Sequence, residues 1–174
     1  SGAVVGLCPI TEANLGDGIF PATEFLLSGG RFAIGSDSNV RIAANEELRT
    51  LEYGQRLRDR RRNCLGTPAT STGGALCDAA RSGGAQALAL DEQARSPGLA
   101  AGQTADIVAL DAAHPAIVGR TGNAVLDAWV FAAGHAVRHV FAAGRRVVID
   151  GRHTGADAIR ARYAATADRL LHSI

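Results

Sequence analysis

The sequence predicts an α/β fold in which short buried strands alternate with helices. Two segments, at positions 3–8 and 31–37, contain short apolar runs, which are typical of strands covered on both faces of a parallel sheet. A helix signal separates these runs, which indicates a βαβ unit with parallel strands and a right-handed crossover. Further along, strand-like segments at 137–142 and 145–150 flank Gly144, a pattern that indicates an antiparallel hairpin.

Composition and charge describe one ordinary globular domain or a piece of a larger protein. The 174 residues are 47% hydrophobic and 20% charged, enough apolar side chains to bury a core and too many for a disordered chain. The net charge of +1 gives no general attraction to nucleic acid or to a membrane surface. No apolar run approaches the roughly 20 residues of a membrane span. The three cysteines form no CxxC pair, which favours reduced thiols in a cytoplasmic protein.

The start of the chain suggests a piece of a longer protein. The sequence contains no methionine, so we expect that it does not begin at its own start codon. Pro9 is predicted to end the first strand, and residues 10–18 are predicted to form a polar loop that contains the Gly-Asp-Gly turn at 16–18. A helix is predicted from Pro21 to about Leu27, because proline suits the first turn of a helix.

The second strand delivers a carboxylate to its C-terminal end. Its apolar residues are followed at once by Ser36, Asp37 and Ser38. In α/β barrels and doubly wound sheets, chemistry takes place at this end of the strands. The alternative is that Asp37 only caps the next helix or turn, since aspartate is a common capping residue. The preceding loop adds further polar side chains, namely Thr11, Glu12, Asn14 and Asp17.

Two longer helices are predicted in the middle of the chain. Asn45 is predicted to cap a helix that has two acidic residues in its first turn and arginines at 58–62. Acidic residues at the start and arginines at the end of a helix complement the helix dipole, and we prefer this interpretation to phosphate binding. Because no aromatic residues lie between the arginines, we expect no nucleic-acid partner. Residues 70–89 are predicted to form one helix and the start of another, separated by the glycine pair at 83–84.

The last third of the chain is predicted to be a connector at 96–102, a strand at 104–111, a helix at 125–132, the hairpin and a closing helix at 155–172. That closing helix carries one apolar face, formed by Ile159, Tyr163, Ala167, Leu170 and Leu171. No histidine pair has a metal-ligand spacing such as HxH. His135 and His139 are four residues apart, but they straddle the predicted change from helix to strand, so we expect no metal between them.

Three segments resemble the formimidoylglutamate deiminases, a family within the metal-dependent amidohydrolase superfamily. They are CPITEANLGDGIFP at 8–21, GSDSN at 35–39 and EELRTLEYGQRL at 46–57. The segment GLAAGQTADIVALD at 98–111 resembles the superfamily tail that returns from the barrel to a small β-sandwich. The first segment and LEYGQRL are fairly specific to the deiminases, whereas GSDS and ADIV mark only the superfamily.

This resemblance implies that the α/β chain is the C-terminal part of a (β/α)8 TIM-barrel amidohydrolase with one catalytic zinc ion. Residues 3–8 and 31–37 would be barrel strands seven and eight, and Asp37 would be both the metal ligand and the catalytic carboxylate. An HxH pair, the later histidines, the acidic residue that shuttles protons and the arginines for the substrate carboxylates would lie upstream. The implied domains are the last barrel strands and helices at 1–97, a mainly β-sandwich segment with an intervening helix at 98–152, and a C-terminal helix at 153–174.

The implied reaction is the hydrolysis of N-formimidoyl-L-glutamate to N-formyl-L-glutamate and ammonia, a step of histidine degradation. Asp37 would accept a proton from a zinc-activated water. Asn14 and Glu12 would contact the substrate, or else satisfy backbone groups of their own loop. We expect the chain to need the upstream part of the same protein, to be inactive alone, and to belong to a homodimer.

Two other hypotheses stay open at this point. The chain could belong to another aminohydrolase of the superfamily, such as a guanine or other nucleobase deaminase, because the loop at 10–18 and GSDS would fit both. It could instead be an inactive fragment or a subunit that pairs through an open barrel edge, because two strands cannot close a barrel. A substrate panel separates the two enzymes, and size-exclusion chromatography tests the third hypothesis.

Overall fold

The computed structural model describes residues 2–90 and 99–172. Its contacts divide the chain into two compact units, Ser1–Gln103 with Ala112–Gly134 and Thr104–Asp111 with His135–Ile174. The alternation of strands and helices confirms the predicted α/β class. Within the described ranges, no helix is both long and apolar enough to cross a membrane. The predicted connector at 96–102 falls partly outside the described residues.

The first unit begins with two parallel strands, as predicted. Strand β1 (Val4–Leu7) pairs with β2 (Arg31–Ile34), and Leu7 lies opposite Ile34. The backbone N–H of Gly35 donates to the carbonyl of Leu7 at 3.0 Å, so the pairing continues one residue beyond β2. The C-terminal ends of both strands therefore lie side by side, and the segments that follow them meet at one edge.

A helix, α1 (Pro9–Leu15), follows β1 where the sequence analysis predicted a polar loop over residues 10–18. The prediction was wrong because the proline that ends the strand also suits the first position of a helix, where no N–H is needed. Glu12 reaches back to accept the N–H of Cys8 at 2.7 Å and so caps the first turn. Gly16, with a φ of 75°, ends the helix in the left-handed conformation, which agrees with the predicted turn.

Helix α2 (Ala22–Leu27) follows Pro21 as predicted, and α3 (Ala44–Asp59) comes after β2. The prediction that Asn45 caps α3 was wrong, because Ala43 is the N-cap residue and Asn45 lies inside the first turn. Asn45 is only 4% exposed, and its side-chain nitrogen would lie 3.1 Å from a Cβ atom at Gly134. Its side chain thus packs into the unit instead of turning back to the helix end.

Helix α4 (Thr72–Ala87) is continuous, although the sequence analysis predicted a break at residues 83–84. Gly83 is buried against β2, where a Cβ atom would stand 1.9 Å from the carbonyl oxygen of Phe32. Near the other end of α4, a Cβ atom at Gly73 would stand 2.7 Å from the Cα atom of Asp127. Here glycine permits close approach of backbones and does not interrupt the helix.

The core of the first unit lies between β2 and the helices. Phe32 of β2, Leu76 of α4 and Val130 of α5 (Asn123–Phe131) are each at most 1% exposed. Leu48 and Leu51 of α3 belong to the same buried cluster. Full burial of a side chain of this size stabilises a fold by about 1.5–3 kcal/mol, so this cluster holds α3, α4 and α5 on the parallel strands.

The second unit is a four-stranded antiparallel sheet with a helix. Its strands lie in the order β3 (Ile107–Leu110), β4 (Val137–Ala142), β5 (Arg145–Ile149) and β6 (Arg152–His153). The predicted hairpin is confirmed. Ala143 and Gly144 both have positive φ, 47° and 77°, as a two-residue type I′ turn requires.

The closing helix is also confirmed, as α6 (Ala156–Leu171), and none of its residues is buried. Its predicted apolar face is largely exposed in this structure, with Ile159 at 51% and Tyr163 at 75%. The assignment of residues 1–97 to a barrel and of residues 98–152 to a sandwich stays a prediction.

Candidate functional site

The candidate site lies where the segments after β1 and β2 meet. Asp37 stands three residues beyond the end of β2, in a turn, with an exposed side chain and a φ of 46°. Within residues 2–90 and 99–172, no hydrogen bond or ion pair to its carboxylate is found. The carboxylate therefore caps neither the turn nor α3, whose N-cap is Ala43. An exposed carboxylate at the C-terminal edge of a parallel pair is available to bind a ligand.

Three carboxylates act on the thiol of Cys8, the residue that follows β1. Burial raises the pKa of this thiol, and the negative charges of Asp37, Glu12 and Glu47 raise it further, against a backbone hydrogen bond from Gly35 that lowers it. A charge acts on a pKa in this way only when it is close. The corner between the two strand ends is therefore acidic, which favours a bound cation.

Glu47 holds α1 against α3. It is 2% exposed in the first turn of α3, and its Oε2 atom accepts the backbone N–H of Ile10 at 2.9 Å. Its other oxygen, Oε1, is buried and has no hydrogen-bond partner among the described residues. Burial raises the pKa of Glu47, while the Ile10 hydrogen bond lowers it. The sequence analysis placed an acid in this helix turn, but the bond to a residue 37 positions earlier depends on the tertiary fold.

The two predicted substrate contacts have different surroundings. Glu12 is half-buried, and its Oε1 atom accepts the N–H of Cys8 at 2.7 Å, which is the backbone role that the sequence analysis kept as an alternative. Asn14 is exposed on the last turn of α1, and no hydrogen bond to its side chain is found in the described part of the chain. A substrate contact stays a prediction for both residues.

Thr11 contacts both neighbours of Asp37, a role that the sequence analysis missed. The Thr11 hydroxyl donates to the carbonyl oxygen of Ser36 at 3.2 Å. It also lies 2.8 Å from the hydroxyl of Ser38 and accepts the backbone N–H of Ser38 at 3.4 Å. The sequence showed Thr11 only as one polar residue among several, because its partners lie 25 and 27 positions away.

The described residues alone do not form a complete metal site. No group of three or more His, Cys, Asp or Glu side chains that could hold a metal ion is found among residues 2–90 and 99–172. Zinc accepts aspartate oxygen as a ligand. The exposed carboxylate of Asp37, free of hydrogen bonds and set in an acidic corner, fits one such ligand. It does not by itself fit a whole coordination sphere.

Apart from the corner at Asp37, a pocket of about 440 Å³ lies between α1 and α3. Its walls are mainly apolar and include Phe20, Tyr53 and Leu57, with Glu12 as its carboxylate. Asp37 does not line it. A pocket of this kind can bind an apolar group, but it presents no cluster of titratable side chains. The corner at Asp37 is therefore the better candidate for chemistry.

Comparisons with known proteins agree on one family. The model of the amidohydrolase family matches residues 1–147. The chain is 51% identical, over 173 residues, to the formimidoylglutamate deiminase of Pseudomonas aeruginosa, which covers 98% of this chain and 37% of that protein. A crystal structure of an amidohydrolase from Brucella melitensis matches with a TM-score of 0.87 and 46% identity, over 97% of this chain and 36% of the other.

A more distant match shares the fold. The crystal structure of an adenosine deaminase from Xanthomonas campestris, which contains bound zinc, has a TM-score of 0.78 at 24% identity. It covers 97% of this chain and 38% of its own. The chain thus spans less than two fifths of the length of these three relatives.

Proposed function

This chain belongs to the amidohydrolase family, and on that premise we propose that it is part of a formimidoylglutamate deiminase. The identity of 51% to such an enzyme supports the substrate, and it confirms the resemblance noted at residues 8–21 and 46–57. The reaction would be the hydrolysis of N-formimidoyl-L-glutamate to N-formyl-L-glutamate and ammonia. A place in histidine degradation and in the cytoplasm forms part of the same proposal.

The proposal extends to the architecture of the complete enzyme. We assign β1 and β2 to strands seven and eight of a (β/α)8 barrel, and the antiparallel sheet of the second unit to a small β-sandwich. The parallel pairing of β1 with β2 and the helices that follow them support the first assignment. In such barrels the active site lies at the C-terminal ends of the strands, which is the side on which Asp37 lies.

The position of Asp37 is the observation that carries the proposal. Its carboxylate is exposed, lies beyond the end of a parallel strand and adjoins the acidic corner around Cys8. Zinc, when bound, supplies a Lewis acid that lowers the pKa of water toward neutrality. Asp37 would hold the ion through a carboxylate oxygen and would accept a proton from the attacking water.

The departing group needs protons that Asp37 alone is not proposed to deliver. Water adds to the formimidoyl carbon, and the bond from this carbon to the terminal nitrogen then breaks. The protons of the water end on the departing nitrogen, which leaves as ammonia, and the acidic residue that would shuttle them is proposed to lie upstream of this chain. Glu12 and Asn14, on the helix that follows β1, are proposed to contact the substrate at the mouth of the site.

The remaining parts of the site are proposed to come from an upstream segment of the same protein. Because the described residues offer no further metal-ligand cluster, the histidine ligands and the arginines for the two substrate carboxylates would lie there. The chain spans 37% of the Pseudomonas enzyme, which leaves ample length for such a segment. We propose a homodimer of the complete protein as the active form.

The test compares this chain alone, the chain with its upstream segment, and the Asp37→Asn variant of the longer protein. We expect ammonia release from N-formimidoyl-L-glutamate and bound zinc only in the longer wild-type protein. Stoichiometric zinc in the 174-residue chain alone, or undiminished turnover by Asp37→Asn, would contradict the proposal. Adenosine and guanine belong in the same assay, because ammonia from a purine and none from N-formimidoyl-L-glutamate would favour a nucleobase deaminase.

A further inference from the structure

We propose that Thr11 is a positioning residue for Asp37, and that its hydroxyl fixes the turn that presents this carboxylate to the metal. The inference rests on the proposed function, since it concerns the ligand that Asp37 provides there. It assigns a role to a residue that touches neither the metal nor the substrate.

The contacts of Thr11 bracket Asp37 on both sides. The Thr11 hydroxyl donates its one proton to the carbonyl of Ser36, the residue before Asp37, at 3.2 Å. It also faces Ser38, the residue after Asp37: the two hydroxyls lie 2.8 Å apart, where either can donate, and the Ser38 N–H donates to Thr11 Oγ1 at 3.4 Å. A hydroxyl has one proton and two lone pairs, so Thr11 can make all three contacts at once.

The backbone of Asp37 gives its turn a conformation that most side chains disfavour. Its φ of 46° lies in the left-handed region, which aspartate adopts more readily than most residues but which is still uncommon outside glycine. The Asp37 side chain contributes no hydrogen bond of its own among the described residues. Two further contacts join Ser36 and Asn39 across the turn: the backbone N–H of Asn39 donates to the carbonyl of Ser36 at 3.1 Å, and the two side chains bond at 2.6 Å. Both are local to the turn, whereas Thr11, which is 5% exposed, ties the turn to α1.

Thr11 can act as a fixed point because α1 is itself held in place. Its neighbour Ile10 donates to the buried carboxylate of Glu47 at 2.9 Å, which ties the first turn of α1 to α3. The N-cap N–H of Cys8 is bonded to Glu12 at 2.7 Å. A series of contacts thus connects α3, through α1, to the turn that carries Asp37.

The test uses the longer protein with its upstream segment and replaces Thr11 by valine, which keeps the shape and removes the hydroxyl. Loss of a residue that orients a metal ligand typically lowers metal affinity about 10- to 100-fold, and we expect a loss of zinc affinity in that range. Zinc affinity is measured by competition with a chelator, which does not depend on turnover. Thr11→Ser keeps the hydroxyl and should restore most of the affinity.

The matched control is Thr23→Val. Thr23 lies on α2 and its hydroxyl donates to Asp59 at 3.3 Å, away from the turn, so this variant should bind zinc as the wild type does. If Thr11→Val accumulates too little folded protein, Ser38→Ala replaces it. Ser38 is exposed, and Ser38→Ala removes one of the three contacts, so it should lower zinc affinity by less than Thr11→Val would.

Unchanged zinc affinity in the folded Thr11→Val protein, or in Ser38→Ala where that variant takes its place, overturns the inference. It also fails if Thr11→Val and Thr11→Ser weaken zinc binding equally, because then packing and not the hydroxyl matters. The Asp37→Asn variant separates this failure from failure of the proposed function. If Asp37→Asn retains zinc and turnover, the function itself is wrong; if only the Thr11 variants are unaffected, the positioning role alone is wrong.

Discussion

Gly83 of α4 lies so close to Phe32 of β2 that a Cβ atom at residue 83 would stand 1.9 Å from the Phe32 carbonyl oxygen. No side chain can move away to relieve this contact, because the obstacle is backbone. Helix α4 can therefore lie this close to β2 only because residue 83 is glycine, which has no Cβ atom. Since β2 leads directly to Asp37, the contact also bears on the candidate site.

Gly83→Ala is expected to destabilise the protein by about 3 kcal/mol or more, because inserted atoms already cost 1–3 kcal/mol where side chains can adjust. The measurement is the free energy of unfolding of the zinc-free protein in urea. Gly84→Ala is the matched control, because an added Cβ at residue 84 meets nothing within 4 Å. That variant should be more stable by roughly 0.5–1 kcal/mol, since alanine is the better helix residue. Equal stabilities of the two variants would contradict the structure.

Glu52 organises the segment after α3. It is fully buried, and its carboxylate accepts the N–H groups of Cys64 at 3.0 Å and Leu65 at 2.9 Å as well as Arg56 at 2.7 Å. Glu52→Gln replaces one accepting oxygen by a donor, so at least one donor loses its partner. A buried donor without a partner costs about 1–3 kcal/mol, and urea denaturation should show a loss of this size.

Glu24→Gln provides the comparison for Glu52, because Glu24 is exposed and pairs with Arg58 at the surface. Exposed ion pairs contribute little to stability. We expect urea denaturation to detect no clear change in that variant. If Glu24→Gln lowered the free energy of unfolding as much as Glu52→Gln does, the burial of Glu52 would not explain its contribution to stability.

Glu47 should make stability depend on pH. Burial raises its pKa in the folded protein above the ordinary value of 4.5. Its contribution is therefore present at low pH and is lost as the pH rises from the ordinary value through the folded-state pKa. Glu47→Gln removes this dependence, so its stability relative to the wild type should improve between about pH 4 and about pH 8.

Denaturation series across that pH range measure the difference. Glu24→Gln is the control, because Glu24 is exposed and hydrogen bonds lower its pKa, so no gain in stability relative to the wild type is expected as the pH rises. A constant difference between Glu47→Gln and the wild type at all pH values would rule out the buried, ionising carboxylate described here.

Asp37 should slow the alkylation of Cys8. The thiolate is the reactive form, and the negative charge of Asp37 helps to raise the pKa of the Cys8 thiol. Asp37→Asn should therefore speed the reaction of Cys8 with iodoacetamide at a fixed, mildly alkaline pH. Roughly two- to fivefold is expected, since a screened charge shifts a pKa by a fraction of a unit.

Mass spectrometry after trypsin gives the rate for Cys8 alone, because the peptide that ends at Arg31 contains neither Cys64 nor Cys77. Asp17→Asn is the control, since Asp17 is exposed but is not among the charges that act on Cys8. An equal change in both variants would indicate a general effect of net charge. This experiment places Asp37 beside Cys8 without reference to activity.

Features set by local pattern could be predicted from the sequence. The apolar runs predicted both parallel strands, and the chain around Gly144 predicted the hairpin. The helix α1 was missed because Pro9 ends a strand and starts a helix at once, and part of what holds this helix, the bond from Ile10 to Glu47 of α3, depends on the tertiary fold. The break predicted at Gly83 was wrong for a related reason. A glycine pair often ends a helix. Here, however, Gly83 allows close packing against the backbone of Phe32, which lies 51 positions earlier in the sequence.

In the candidate site, too, some residues could be predicted from the sequence and others could not. Asp37 could be predicted, because an acid after an apolar strand is a local pattern. Thr11 and Glu47 could not, because their hydrogen bonds join residues 25 to 37 positions apart and depend on how α1 packs. Nothing in the order of residues marks which of several polar side chains will face a turn on another strand.

The glycines of α4 also limit how this protein can be engineered. Gly73 lies against Asp127 and Gly83 against Phe32, and both obstacles include backbone atoms. A consensus or alanine-rich redesign of α4, of the sort used to raise thermal tolerance, would have to leave these two positions untouched. Gly84 is free to change, so neighbouring glycines in one helix differ completely in mutational tolerance.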